Sequence, residues 1–276
     1  MRYFRLLVIL VFVAALLFSG WATLQYNKRQ NNDKPRIVGE DATLELSVAD
    51  GKEALLQGLT AEDETDGDLT DKIMVASVSH FLEPGTVRAK YVVFDSHNNS
   101  DTFTRQIHYT DYLSPVFSLS KAPVYQKGEN FDLLSNLSVT DVIDGDISQR
   151  IRVVSNGVSN YTPGVYPVVV EASNSYGETV QVQIMVTYLE KRSTAVSIKL
   201  HEYLVYVEQG GDFAPARWIA SVTDRDHTPL DRSKVTVEGN LDTDTPGCYS
   251  LTYTYADGTL TGQTVLTVVV TGEVAE

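Results

Sequence analysis

The chain repeats itself, and that limits what it can fold into more than any other feature. An acidic turn, Asp63-Glu64-Thr65-Asp66-Gly67-Asp68, recurs 78 residues later as Asp141-Val142-Ile143-Asp144-Gly145-Asp146. A Pro-Gly pair occurs at Pro84-Gly85, Pro163-Gly164 and Pro246-Gly247, and ten residues after each glycine stands Asp95, Asn174 or Asp257. Runs beginning at Lys72, Arg150 and Lys234 lie between the two landmarks, and each copy closes on a β-rich stretch, 102–109, 179–188 or 263–270. A register kept through three copies means one structural unit used three times.

Each unit reads as strand after strand. Alternate positions Val87, Ala89, Tyr91 and Val93 can face a core, as can Tyr166, Val168, Val170 and Ala172, and Tyr249, Leu251, Tyr253 and Tyr255. Period-two alternation of β-branched and aromatic residues marks half-buried strands. Gly, Pro, Asn and Asp punctuate them at short intervals, as a sandwich requires. Pro167 inside such a run predicts an edge strand or a bulge, because proline cannot donate to a ladder. The expected fold is all-β, a tandem of β-sandwich modules at 37–111, 112–190 and 191–276. The links between copies, 111–115 and 189–194, are short, so neighbouring modules should abut rather than tumble independently.

The order of landmarks, Asp-Gly-Asp, a Val-rich strand, Pro-Gly and an aromatic strand ending in Asp, resembles the bacterial surface immunoglobulin-like repeat, a module also found in insecticidal crystal toxins and Gram-positive surface proteins. The resemblance covers residues 37 to 271. The third copy departs from it, with Asp224-Arg225-Asp226-His227-Thr228-Pro229 in place of the Asp-Gly-Asp turn, and the second has Asn174 where the family usually has Asp. The resemblance implies Ig-like sandwiches at a cell surface and no catalytic activity, since such modules mostly act as spacers or binding domains. A fold shared so widely does not by itself fix a function.

The N-terminal part is of a different kind. Residues 6–24 read LLVILVFVAALLFSGWATL, an uncharged and mostly apolar run behind Arg2 and Arg5. About 20 such residues span a hydrocarbon core as a helix, and basic residues before the run fit a signal anchor or a cleaved signal peptide. Small residues at Gly20 and Ala22 leave cleavage open. The length of the run favours a retained transmembrane anchor, with a cytoplasmic N-terminus at 1–5, a polar stalk at 25–36 and the bulk of the chain outside the cytoplasm. Lys28, Arg29, Lys34 and Arg36 after the run work against that orientation.

With 43% hydrophobic residues the chain can build packed cores. Its formal net charge of −14 disfavours nucleic-acid binding, which needs clustered Lys and Arg. Cys248 is the one cysteine, which excludes an intrachain disulfide and multi-cysteine zinc sites. A disulfide-free surface protein of this size suits a bacterium. No catalytic motif stands out among the histidines, serines or glycine-rich segments, so no enzyme activity is expected.

The acidic turns are the candidate site chemistry. Asp63, Asp66 and Asp68, with Asp95 from the end of a later strand, form one set, and Asp141, Asp144 and Asp146 form the second. Closely spaced carboxylates in a turn can ligate calcium, which takes six to eight oxygens. The spacing is not that of an EF-hand. The competing reading, favoured by the residues, is that Asp caps the turn while Gly supplies a positive φ. No other cofactor is expected. Two functions remain: a membrane-anchored spacer or assembly component, or a surface module that binds a polysaccharide or a protein partner.

Overall fold

In the computed structural model, residues 2–29, 33–190 and 196–272 are described, with side chains described for 10–23, 33–190 and 196–272. The chain divides into two compact units, Met1–Tyr112 and Leu113–Glu276. It opens with a helix, α1 (Arg2–Arg29), and the regular elements among the described residues after it are strands and short 3-10 turns.

The first module contains β1 (Arg36–Val38), β2 (Leu44–Leu46), β3 (Thr60–Asp63), β4 (Gly67–Asp68), β5 (Met74–Val78), β6 (Thr86–Phe94) and β7 (Ser100–Tyr109). One sheet has the order β1-β3-β4 and the facing sheet the order β2-β7-β6-β5. β2 runs parallel to β7, and the other pairs are antiparallel.

The second module repeats this plan with β8 (Val116–Leu119), β9 (Val124–Gln126), β10 (Leu137–Asp141), β11 (Gly145–Asp146), β12 (Arg152–Asn156), β13 (Gly164–Ser173) and β14 (Thr179–Leu189), ordered β8-β10-β11 and β9-β14-β13-β12. The third has β15 (Val196–Leu200), β16 (Leu204–Glu208), β17 (Ile219–Asp224), β18 (Val235–Glu238), β19 (Gly247–Asp257) and β20 (Leu260–Thr271), ordered β15-β17 and β16-β20-β19-β18. Among the described residues the counterpart of β4 and β11 is reduced to a single bridge, Thr223 to Pro229.

The alternation in sequence maps onto the cores. Val87, Ala89, Tyr91 and Val93 are fully buried along β6, and Val168, Val170 and Ala172 along β13. Leu251, Tyr253 and Tyr255 do the same on β19, while Tyr166 and Tyr249, at the strand starts, are half-buried. Pro167 does not mark an edge strand, because β13 lies between β12 and β14. β12 ends with Asn156 opposite Val168, so β13 is open on that side at Pro167 and the missing N–H breaks no pair.

The second and third modules are joined through a common core. Leu204, on β16 of the third, is 2% exposed and belongs to the apolar cluster of the second, with Phe117, Leu133, Ile184 and Tyr188. Tyr203, Tyr206, Cys248 and Val269 pack against the same cluster. Burying one leucine is worth about 2 kcal/mol. The backbone N–H of Phe117 donates to the Tyr206 hydroxyl at 2.9 Å, and that of Gln183 to Cys248 Sγ at 3.4 Å. Cys248 is therefore half-buried packing material at a joint. Burial pushes the Tyr206 phenol up to about 12, against the Phe117 N–H, which favours the ionised form.

The N-terminal expectations need correction at one point. The stalk at 25–36 is helical as far as Arg29, and Arg36 already opens β1; residues 30–32 lie outside those described. Gln25, Lys28 and Arg29 are good helix formers, and no proline intervenes before Pro35. Among the described residues no helix is long and apolar enough to cross a membrane. The side chains of 6–9 and 24, the two ends of the expected span, lie outside those described.

Candidate functional site

The acidic turn of the first module forms where β3 hands over to β4. Asp63 and Gly67 pair across it, and Gly67 takes φ +76°. Asp63 Oδ1 accepts the N–H groups of Thr65 and Asp66, both at 2.9 Å. Asp66 reaches outward to the loop after β6, where its carboxylate accepts the Ser96 N–H at 2.5 Å and the Ser96 hydroxyl at 2.9 Å. Asp68 accepts the Thr70 N–H at 2.9 Å. Asp95 stands at the head of that loop, with Oδ1 accepting from the N–H groups of His97 and Asn99 at 2.8 and 2.7 Å, and Oδ2 from the Asn99 amide at 2.7 Å.

The second turn repeats this almost bond for bond. Asp141 and Gly145 pair, and Gly145 takes φ +70°. Asp141 Oδ1 accepts the N–H groups of Ile143 and Asp144 at 2.9 and 2.8 Å. Asp144 accepts the Ser175 N–H and hydroxyl at 2.6 and 2.8 Å, and Asp146 the Ser148 N–H at 2.9 Å. Two contacts are particular to this copy. Asn174 donates its amide to Asp141 Oδ2 at 3.2 Å, and Arg150 forms a 2.5 Å ion pair with Asp144.

Five of these carboxylates have their ionised form favoured by such bonds. The Ser96 N–H and hydroxyl hold Asp66 below the usual carboxylate range, and the Thr70 hydroxyl and N–H do so for Asp68. The Ser148 hydroxyl and N–H lower Asp146 in the same way. For Asp144, burial pushes upward, but Ser175 and Arg150 outweigh it. Asp95 behaves likewise: burial raises it, and the Asn99 side chain with the N–H groups of Asn99 and His97 more than offsets that.

In the third module Asp224 ends β17 and closes a tight five-residue turn. Its Oδ1 accepts the N–H groups of Asp226 and Thr228 at 2.9 and 2.8 Å, and His227 takes φ +62°. This is the geometry of the Asp95 turn, where Asn98 takes φ +65°, moved to the opposite sheet. Asp257, at the position of Asp95, pairs with Lys234 at 2.5 Å.

The structure thus brings Asp63, Asp66, Asp68 and Asp95 into one corner, and Asp141, Asp144 and Asp146 into its equivalent. In both copies Gly supplies the positive φ. Among the described residues no group of three or more His, Cys, Asp or Glu side chains is arranged to hold a metal ion. Sequence reasoning missed Ser96, Ser175 and Arg150 as partners of the turn. Ser96 and Ser175 each follow directly on Asp95 or Asn174, a signal available in the repeat alignment.

A family model described as bacterial surface protein, Ig-like domain, matches residues 201–270. The third module is thus similar to a bacterial surface immunoglobulin-like domain. The match falls on the third module and spans its altered turn, Asp224 to Pro229. The pesticidal crystal protein Cry22Aa of Bacillus thuringiensis is 36% identical over 140 residues, 49% of this chain and 19% of that protein. The chain thus spans about a fifth of that curated relative. Among solved structures, Drosophila N-cadherin EC1-3 gives a TM-score of 0.31 at 14% identity, over 85% of this chain and 99% of that one. A structure of CBM51-2 with GlcNAc and INT domains from Clostridium perfringens ZmpB gives 0.24 at 20% identity, over 54% and 26%. Both scores fall below the level at which two folds coincide.

Proposed function

We propose that this protein is a non-catalytic spacer or assembly component of a bacterial surface, held in the cell membrane by residues 6–24, with its Ig-like modules outside the cytoplasm. The observation that carries the reading is the joint between the second and third modules. A spacer transmits reach only if its joints are stiff, and a leucine of one module planted in the core of the next resists bending. The helix supports the anchoring part. Leu10, Phe12, Leu16, Leu17, Phe18 and Trp21 of α1 are all largely exposed, as suits a segment solvated by lipid.

An accessibility measurement on intact cells tests both parts. Protease should remove the chain beyond Tyr26 without lysis, and an epitope at the C-terminus should be readable by antibody. Deleting residues 37–111 should reduce that signal, and an unrelated β-sandwich of similar size should restore it. Protection of the whole chain until lysis would rule out the placement. Failure of the replacement module would rule out the spacer.

A second reading has its own observation. A cleft of about 1020 Å³ lies between the second and third modules, lined by Tyr125 and Tyr203 together with Gln126, Gln263, Asp224 and Arg225. Aromatic faces beside amides and charges suit a polysaccharide or a polar peptide. Loss of surface function on Tyr125→Ala, with the epitope still accessible, would favour binding over spacing.

A further inference from the structure

Asp63 and Asp95 are nearly inaccessible, at 6% and 5% exposure. Asp63 uses Oδ1 to hold its turn, but its Oδ2 is buried with no hydrogen-bond partner. The second module shows what belongs there. Asp141 occupies the position of Asp63, and its Oδ2 receives the Asn174 amide at 3.2 Å.

Asn174 and Asp95 hold their loops through the same backbone and Oδ1 bonds. The N–H of each donates to the carbonyl four residues on, Asp95 to Asn99 and Asn174 to Glu178, both at 3.0 Å. Oδ1 of each accepts two backbone N–H groups of the same loop. The first module therefore aims a carboxylate where the second aims a donor. Neither carboxylate can donate to the other, and two like charges in a dry corner repel. The Asn99 amide and two backbone N–H groups favour the ionised form of Asp95, so a shared proton is a poor remedy.

We propose that the acidic corner of the first module binds one divalent cation, of the calcium type, between Asp63 Oδ2 and Asp95, and that the corner of the second module binds none. Asp66 and Asp68 stay outside the site, because Ser96 and Thr70 already occupy them. Calcium accepts carboxylate, carbonyl and water oxygens in flexible geometry. The Asp33 carbonyl lies beside the corner, since the Asn99 amide that contacts Asp95 also donates to it at 3.2 Å. Two side-chain carboxylates make a weak, exchanging site, with water completing the shell.

Calorimetric titration of the full chain in detergent with calcium chloride tests this. One site per chain is expected, abolished by Asp95→Asn and by Asp63→Asn and kept in Asp146→Asn. Asp95→Asn recreates the Asp141–Asn174 contact, so it should fold, with a melting midpoint in chelator at or above that of the wild type. Millimolar calcium should raise the wild-type midpoint by about 5 °C and leave that of Asp95→Asn unchanged. The absence of a calcium heat, two sites per chain, or undiminished binding in a folded Asp95→Asn protein would each overturn the proposal.

Discussion

The first and second modules share every strand, yet they close the same corner in opposite ways. Around Asp141 and Asp144 the second module places an amide and a guanidinium, Asn174 and Arg150. The first module has Asp95 and Lys72 at those positions. Lys72 contributes only charge at a distance to Asp66. One corner is thus satisfied within the chain, while the other keeps an orphaned carboxylate oxygen. A repeat can keep its backbone and change its electrostatics by a single amide-to-acid exchange.

The largest effect should come from making the second corner like the first. Asn174→Asp replaces a donor by a charge facing buried Asp141, and should destabilise the second module by about 1–3 kcal/mol in chelator. Chemical denaturation of the full chain would show it, and no change would mean that the two corners are not equivalent. The reverse exchange, Asp95→Asn, should stabilise the first module in chelator by a few degrees at most.

A smaller contrast concerns the cations. Arg150→Ala removes a partly exposed ion pair and should cost at most about 1 kcal/mol. Lys72→Ala should cost less, and equal losses would remove this part of the contrast.

The smallest effect is a response to acid. Asp66, Asp68, Asp95, Asp144 and Asp146 all have folded-state values below the ordinary 3.8. Their stabilisation is complete above that value and is lost as pH falls through the lower folded values. Protection of the backbone N–H groups of Thr70, Ser96, Ser148 and Ser175 should therefore be lost below pH 4, and that of His97 and Asn99 should respond differently with and without calcium. Identical profiles under both conditions would argue against a difference between the corners.

Much of this fold is legible in the sequence because its signals are local. Strand alternation at Val87 to Val93 and turn chemistry at Gly67 and Gly145 need only neighbouring residues. The pairing of Asp141 with Asn174 spans 33 positions, so the importance of Asn174 emerges only when β10 and the loop after β13 meet. Leu204 reads as an ordinary strand residue, and nothing near it in sequence tells that its partners belong to the preceding copy. Pro167 misleads as to an edge for the same reason, since the end of β12 makes it harmless, while the β12–β13 pair does carry a register shift between Val153 and Ser155. The helix through Arg29 was hidden by polarity, which marks exposure and does not mark the end of a helix.

Leu204 also orders events in time. A chain delivered from its N-terminus completes residues 113–190 before β16 exists. Until then the apolar cluster that includes Phe117, Ile184 and Tyr188 lacks the leucine that the next copy contributes. The second module is a nascent fold awaiting its last side chain, and translation or export that halts at residue 190 yields a sandwich with an open apolar seam. The joint therefore ties completion of the second copy's core to the arrival of the third.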